Sequence, residues 1–146
     1  MKILKYVLLV GFLGVILSSC LSEDRNDYLV YGNLPTVEVT VIGEPKPLGQ
    51  ETEIEVTYKT SNSCQTFVDF QSMKEDGEEK TLKIAVVASQ RSGDDCLQKE
   101  EFKKQTLKFK PSTSGVYTLK FWSGANDQTP TYITRTITIP TAEGAE

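Results

Sequence analysis

The sequence predicts an all-β domain, a single β-sandwich of about seven antiparallel strands, and two observations carry that prediction. From about Thr36 to Ile139 apolar and polar residues alternate at period two, and no stretch sustains the 3.6-residue spacing of an amphipathic helix. The alternating runs are short, and clusters of Gly, Pro, Asn, Asp and Ser divide them at regular intervals, as in a chain that repeatedly turns back on itself.

The first run is Val37-Glu-Val-Thr-Val41, whose alternation puts three valines on one face. Pro45-Lys-Pro-Leu-Gly49 is a turn, because proline presets φ and glycine tolerates the left-handed conformation. Glu53 to Tyr58 follows, with Ile54, Val56 and Tyr58 inward and the acids and Thr57 outward. Five further strands are predicted at Gln65–Met73, Lys80–Ser89, Gln105–Lys110, Gly115–Ser123 and Tyr132–Ile139. Turn formers separate them at Glu75–Glu79, Gln90–Asp95, Pro111–Gly115 and Gly124–Pro130. Residues 36–140 thus form the sandwich, with 141–146 as a disordered tail. A chain of 146 residues accommodates one such core and no second domain.

A local pattern sharpens the fold class. Leu107-Lys-Phe109, the turn from Pro111 to Gly115, and Val116-Tyr-Thr-Leu-Lys-Phe121 resemble the corner between strands E and F of immunoglobulin-like domains. The resemblance implies that the Tyr117 hydroxyl bonds back to the main chain and that Tyr117, Leu119 and Phe121 point into the core. The sandwich is therefore read as immunoglobulin-like. It departs from antibody domains in two places: the strand carries Phe121 and no cysteine, and the only tryptophan, Trp122, lies on this strand and not on strand C.

The N-terminus precedes the sandwich with a different chemistry. Lys2 and Lys5 form a short basic segment, followed by the apolar run Tyr6–Leu17, which is well below the roughly 20 residues that a membrane-crossing helix needs. The run ends in Leu17-Ser18-Ser19-Cys20, which resembles the lipobox of bacterial lipoproteins. That resemblance implies a signal peptide over 1–19, cleavage after Ser19, and a diacylglyceryl group on the Cys20 sulfur. An ordinary secretory leader that happens to end in a cysteine is the plainer alternative. Each buried acyl CH₂ contributes roughly 0.8 kcal/mol, and two or three chains together hold a protein stably on a bilayer.

Residues 20–35 read as a lipidated flexible tether, opening with the polar stretch Leu21–Asp27 and reaching at most ~50 Å at ~3.3 Å per residue. Residue 21 is Leu and not the Asp that resembles an inner-membrane retention signal. Glu23, Asp24 and Asp27 resemble surface-export tags of Bacteroidota lipoproteins, or are simple linker charge. The expected location is therefore the cell envelope, with the outer membrane or cell surface favoured over the inner membrane.

Charge and cysteine count bound the chemistry further. Losing Lys2 and Lys5 with the leader takes the formal net charge from −4 to −6, which excludes nucleic acid as a partner because that requires a basic face. Of the three cysteines, Cys64 and Cys96 remain once Cys20 is acylated, and an exported protein is expected to pair them. The resulting loop would stabilise the fold by roughly 3 to 4 kcal/mol on the chain-entropy model. A metal pair or redox dithiol is the alternative, without a CxxC to support it.

The chain contains no histidine, which removes Ser/His and Cys/His nucleophilic schemes and histidine metal sites together. The adjacent carboxylates Asp94 with Asp95 and Glu100 with Glu101 would diverge on a strand and be solvated in a loop, so they read as loop charge. Asp94, Asp95 and Asp127 lack the spacing of a calcium loop, and Ser92-Gly93 and Ser123-Gly124 lack the glycine run of a phosphate cradle. No catalytic residue, metal or cofactor is expected, and the protein reads as a non-enzyme.

What remains is a surface. Alternation places Trp122 opposite the face of Tyr117, Leu119 and Phe121, and Tyr132 shares its outer face with Thr134, Thr136 and Thr138. If the two strands pair, Trp122 and Tyr132 form a stacking platform for sugar or peptide. A tryptophan near a strand end also suits a core plug, and an error of one residue in register would put it there. The function expected is a membrane-anchored, non-catalytic module whose partners are membrane lipid through Cys20 and an envelope protein, peptide or glycan. The alternative is a tethered inhibitor of an external hydrolase such as lysozyme or a protease, using the Gln90–Lys104 region as its protruding loop.

Overall fold

The computed structural model describes residues 28–92 and 95–142, and every regular element among them is a β-strand. The strands are β1 (Leu29–Leu34), β2 (Thr36–Val41), β3 (Thr52–Thr60), β4 (Thr66–Glu75), β5 (Glu78–Arg91), β6 (Glu101–Phe109), β7 (Gly115–Asn126) and β8 (Thr129–Ile139). One sheet pairs β2, β3 and β6; the other contains β4, β5, β1, β7 and β8. Ile54, Val56 and Tyr58 of the smaller sheet meet Ile84, Val86, Leu119, Phe121, Ile137 and Ile139 of the larger across one core. The fold is an all-β sandwich, as the period-two pattern predicts, and its arrangement is consistent with an immunoglobulin-like one.

Three features depart from the sequence reading. The tether expected over 20–35 ends earlier, because Leu29–Leu34 is a strand that pairs with β5 from Arg91 to Val86. Its signal was hidden because only Leu34 is buried, so main-chain hydrogen bonds and not an apolar face hold it in place. The strands are also not all antiparallel: β5 and β7 run parallel, with Lys83 beside Lys120 and Ile84 beside Phe121. The chain leaves β5 for β6 in the other sheet and comes back at β7 running in the direction of β5. Finally, the three valines of β2 do not share a face. A bulge between Thr36 and Glu38 turns Val37 outward, leaving it 41 % exposed, while Thr36 and Val39 point in. Pro35 sits at the crossing between sheets, and its carbonyl accepts a hydrogen bond from the Lys59 amide at 3.0 Å.

A second bulge explains β4. The register slips between Phe67 and Asp69, so Phe67 and Phe70 both face inward despite their odd spacing. Their rings pack edge to face at 5.1 Å, and Phe67 lies 6.1 Å from buried Tyr58, whose hydroxyl is pushed upward in pKa by that burial.

The corner between β6 and β7 takes the form its sequence implies. The Tyr117 hydroxyl donates to the Thr113 carbonyl at 3.0 Å and lies 2.8 Å from the Thr113 hydroxyl, and the ring packs edge-on against Phe109. Glycine suits position 115 because its φ is +115°, a conformation that residues with a side chain rarely adopt. The Lys80 ammonium donates to the Ser114 carbonyl at 2.7 Å.

Cys64 and Cys96 form a disulfide with Cα atoms 5.5 Å apart, within the ordinary range. Cys64 lies on the crossing from β3 to β4 and Cys96 on the crossing from β5 to β6, so the bond staples both passages between sheets at one end. Buried Asn62 supports it, accepting from the Cys64 amide and donating to Gln90, each at 3.0 Å.

Candidate functional site

The outward face of the larger sheet is built around β5, which at 14 residues is the longest strand among those described. A strand has two hydrogen-bonding edges. β4 lies along one of them from Ser89 to Glu78, so β1 and β7 must share the other. β7 takes Thr81 to Ile84 and β1 takes Val86 to Arg91, and the two strands abut beside Ala85.

Alternation then decides which side chains stand at that junction. Tyr117, Leu119 and Phe121 are buried, so Thr118, Lys120 and Trp122 occupy the opposite face. Trp122 is directly opposite Tyr132 on β8, Gln71 is directly opposite Ala85, and the parallel ladder continues from Ile84 beside Phe121 to bring Ala85 beside Trp122. A single cross-strand row therefore runs Gln71, Ala85, Trp122, Tyr132. Of the two placements open to the tryptophan, the structure takes the outward one: Trp122 is half-buried and does not belong to the core.

The row is concave because Ala85 offers only a methyl group between taller neighbours. The resulting cavity measures about 140 Å³, with Asn33 of β1, Met73 of β4 and Lys83 of β5 on its rim. A third bulge sits beside it. The register passes from Trp122 opposite Tyr132 to Gly124 opposite Thr131, leaving Ser123 as the extra residue. The Ser123 hydroxyl donates to that of Thr131 at 3.0 Å. Such an insertion increases the local twist and re-aims its neighbours, here where β7 leaves β5 and β1 takes its place.

Paired charge occupies the next row. Lys83 and Lys120 are side by side, and the single carboxylate of Glu75 pairs with both, reaching Lys83 at 3.3 Å. The hydrogen bond from Lys120 holds the Glu75 carboxyl below the usual range, with burial opposing it and Lys83 adding to the lowering. The same bond pushes the Lys120 ammonium upward. The aromatic row itself carries no charge.

The other residues singled out by sequence are dispersed. Cys20, the leader over 1–19 and Asp94 lie outside the described residues, as do 143–146 of the expected tail. Glu100 pairs with Lys59 at 2.8 Å, while Glu101 pairs with Lys99 at 3.1 Å and Lys103 at 3.8 Å, so each carboxylate of that pair has its own cation. Asp127 occupies a turn with φ of +46°, followed by Gln128 at +67°. Those values make a two-residue hairpin, so the connection expected over Gly124–Pro130 narrows to Asp127 and Gln128, with Pro130 tolerated on an edge strand. The protruding loop expected over Gln90–Lys104 is also shorter, because β5 runs through Arg91 and β6 begins at Glu101. What is left is fastened by the disulfide and by Ser63 bonding Leu97 in both directions at 3.0 Å.

Sequence reasoning found Trp122 and Tyr132 but missed Asn33, Gln71, Lys83 and Ala85. Asn33 lay in a segment read as tether, and the others become neighbours of Trp122 only once β4, β5 and β7 are registered. No protein-family model, curated protein or solved structure matches this chain.

Proposed function

We propose that this protein is a lipid-anchored, non-catalytic binding module of the bacterial cell envelope, held through Cys20 and presenting the Trp122 concavity to a ligand. The anchor rests on sequence: a basic and apolar leader that ends in Leu17-Ser-Ser-Cys20. With β1 starting at Leu29, the tether comprises residues 20–28 and spans at most ~30 Å at ~3.3 Å per residue. Leu21 in place of an Asp favours the outer membrane or cell surface.

The observation that carries the binding reading is the row Gln71, Ala85, Trp122, Tyr132, which places two aromatic rings across a concave, uncharged strip of an outward sheet face. Kinship with immunoglobulin-like domains is part of the same reading, supported by the Tyr117 corner. The absence of histidine from the sequence and the pairing of Glu100 and Glu101 with separate lysines favour binding over catalysis.

Two measurements test the proposal. Growing cells fed labelled palmitate should place it on the full chain and not on Cys20→Ala; an unlabelled, leader-bearing product would overturn the anchor. The membrane-extracted chain should capture a component of envelope extract that Trp122→Ala does not, and equal capture by both would overturn the site.

A further inference from the structure

We propose that the Trp122 concavity takes one uncharged pyranose ring of a polysaccharide. This rests on the reading of the concavity as a binding site and adds the class of ligand. Three features of the site point there. The cavity, at about 140 Å³, is well below the ~300–1,000 Å³ of pockets that enclose a whole small ligand, so it suits one ring of a longer chain whose remainder stays in solvent. Its floor is the Ala85 methyl and its wall the Trp122 indole, an arrangement that accepts the apolar C–H face of a sugar ring. Asn33, Gln71 and Tyr132 also line it, which brings two amide side chains and a phenol to the site. Amides and phenols both donate and accept, which matches hydroxyl groups, themselves donors and acceptors.

Charge decides against an acidic sugar. Lys83, on the cavity rim, and Lys120, beside it in the next row, already share the carboxylate of Glu75. An incoming carboxylate would have to displace Glu75 from a lysine that it already pairs. A neutral ring needs no such exchange.

The chain's single tryptophan is also the site's wall, so its fluorescence reports occupancy directly. The full chain, extracted in mild detergent, is titrated with soluble dextran, mannan, xylan and β-glucan, with alginate and polygalacturonate as acidic counterparts, and with a random peptide pool. At least one neutral polymer should shift Trp122 emission and retard the protein in affinity electrophoresis. Trp122→Ala should weaken that retardation about tenfold or more, the loss of one stacked ring. Ala85→Leu, which fills the floor from the outward face without entering the core, should weaken it similarly while leaving the β-sheet circular dichroism unchanged.

Retardation by acidic polymers or peptides alone, sensitive to Trp122→Ala, would overturn the ligand class and leave the site standing. A neutral polymer that binds Ala85→Leu and Trp122→Ala as well as the parent chain would overturn the placement. If no probe moves the emission and envelope capture is indifferent to Trp122→Ala, the binding site itself falls.

Discussion

The two sheets turn very different faces to solvent. On the smaller sheet, Glu53 faces Lys108 and Thr57 faces Lys104 across β3 and β6, and Lys104 reaches Glu55 at 2.7 Å, Lys108 reaches Glu51 at 3.6 Å and Lys59 reaches Glu100 at 2.8 Å. Phe102 stands on that face 67 % exposed, a lone ring among charges. On the larger sheet, Trp122 and Tyr132 are directly opposed, half-buried and set around a hollow, with Lys83 and Lys120 in the neighbouring row, while Tyr31 on β1 stands apart from them, 61 % exposed. The contrast teaches that exposure alone does not mark a site. Phe102 is far more exposed than Trp122, yet single exposed apolar residues are ordinary features of soluble surfaces. Two opposed rings beside a hollow are the rarer arrangement, and it is there that binding is proposed.

That comparison can be broken or sharpened by substitution, beginning with the layer both faces share. Phe121 is fully buried directly beneath the aromatic row, and Phe121→Ala should cost about 3 to 5 kcal/mol in urea unfolding through the cavity it leaves. Both faces should lose structure together, since one core supports them. Removing the staple comes next. Replacing both Cys64 and Cys96 with alanine should cost roughly 3 to 4 kcal/mol on the chain-entropy model, read as a lower unfolding midpoint that no longer responds to reductant.

Tyr117→Phe deletes the hydroxyl that bonds Thr113 and should cost about 1 kcal/mol in the same assay, with the Trp122 emission unchanged because the two residues face opposite sides of β7. A change in emission would show that the corner and the site are coupled.

The faces should also differ in acid. Glu75 on the larger sheet has a carboxyl depressed below its ordinary 4.5, chiefly by Lys120. A depressed carboxylate contributes stability that is present above its unfolded value and is lost as pH falls through its folded value. Glu75→Gln should therefore flatten stability against pH on the acid side of 4.5 and leave neutral pH dependence as it was, measured by urea midpoints across an acid series. Smallest of all is Lys104→Ala on the other sheet. Its ion pair with Glu55 is exposed and screened, so the thermal midpoint should not move resolvably.

Much of the architecture was legible in the residues. Alternation alone assigned Ile54, Val56 and Tyr58 to the core, since a strand's two faces repeat every second residue whatever it pairs with, and the immunoglobulin-like corner added Leu119 and Phe121. The Tyr117 corner was legible because its hydrogen bond closes over a span of four residues. The Cys64–Cys96 pairing followed from an even remainder of thiols. Of the site, Trp122 and Tyr132 were visible as outward aromatic residues, but their meeting was conditional on strand pairing.

Tertiary structure decided the rest. Alternation tells a residue's face and not its neighbour, so nothing in the sequence said that β7 would lie parallel to β5 or that β1 would take the remainder of the same edge. Bulges at Val37, beyond Phe67 and at Ser123 shift the phase by one residue without a compositional mark, which is why three valines did not share a face and two phenylalanines three apart did. The concavity depends on the most distant of these choices. Gln71, Ala85 and Trp122 come from three separate strands, and only long-range hydrogen bonding between main chains sets a small side chain between two larger ones to make a hollow.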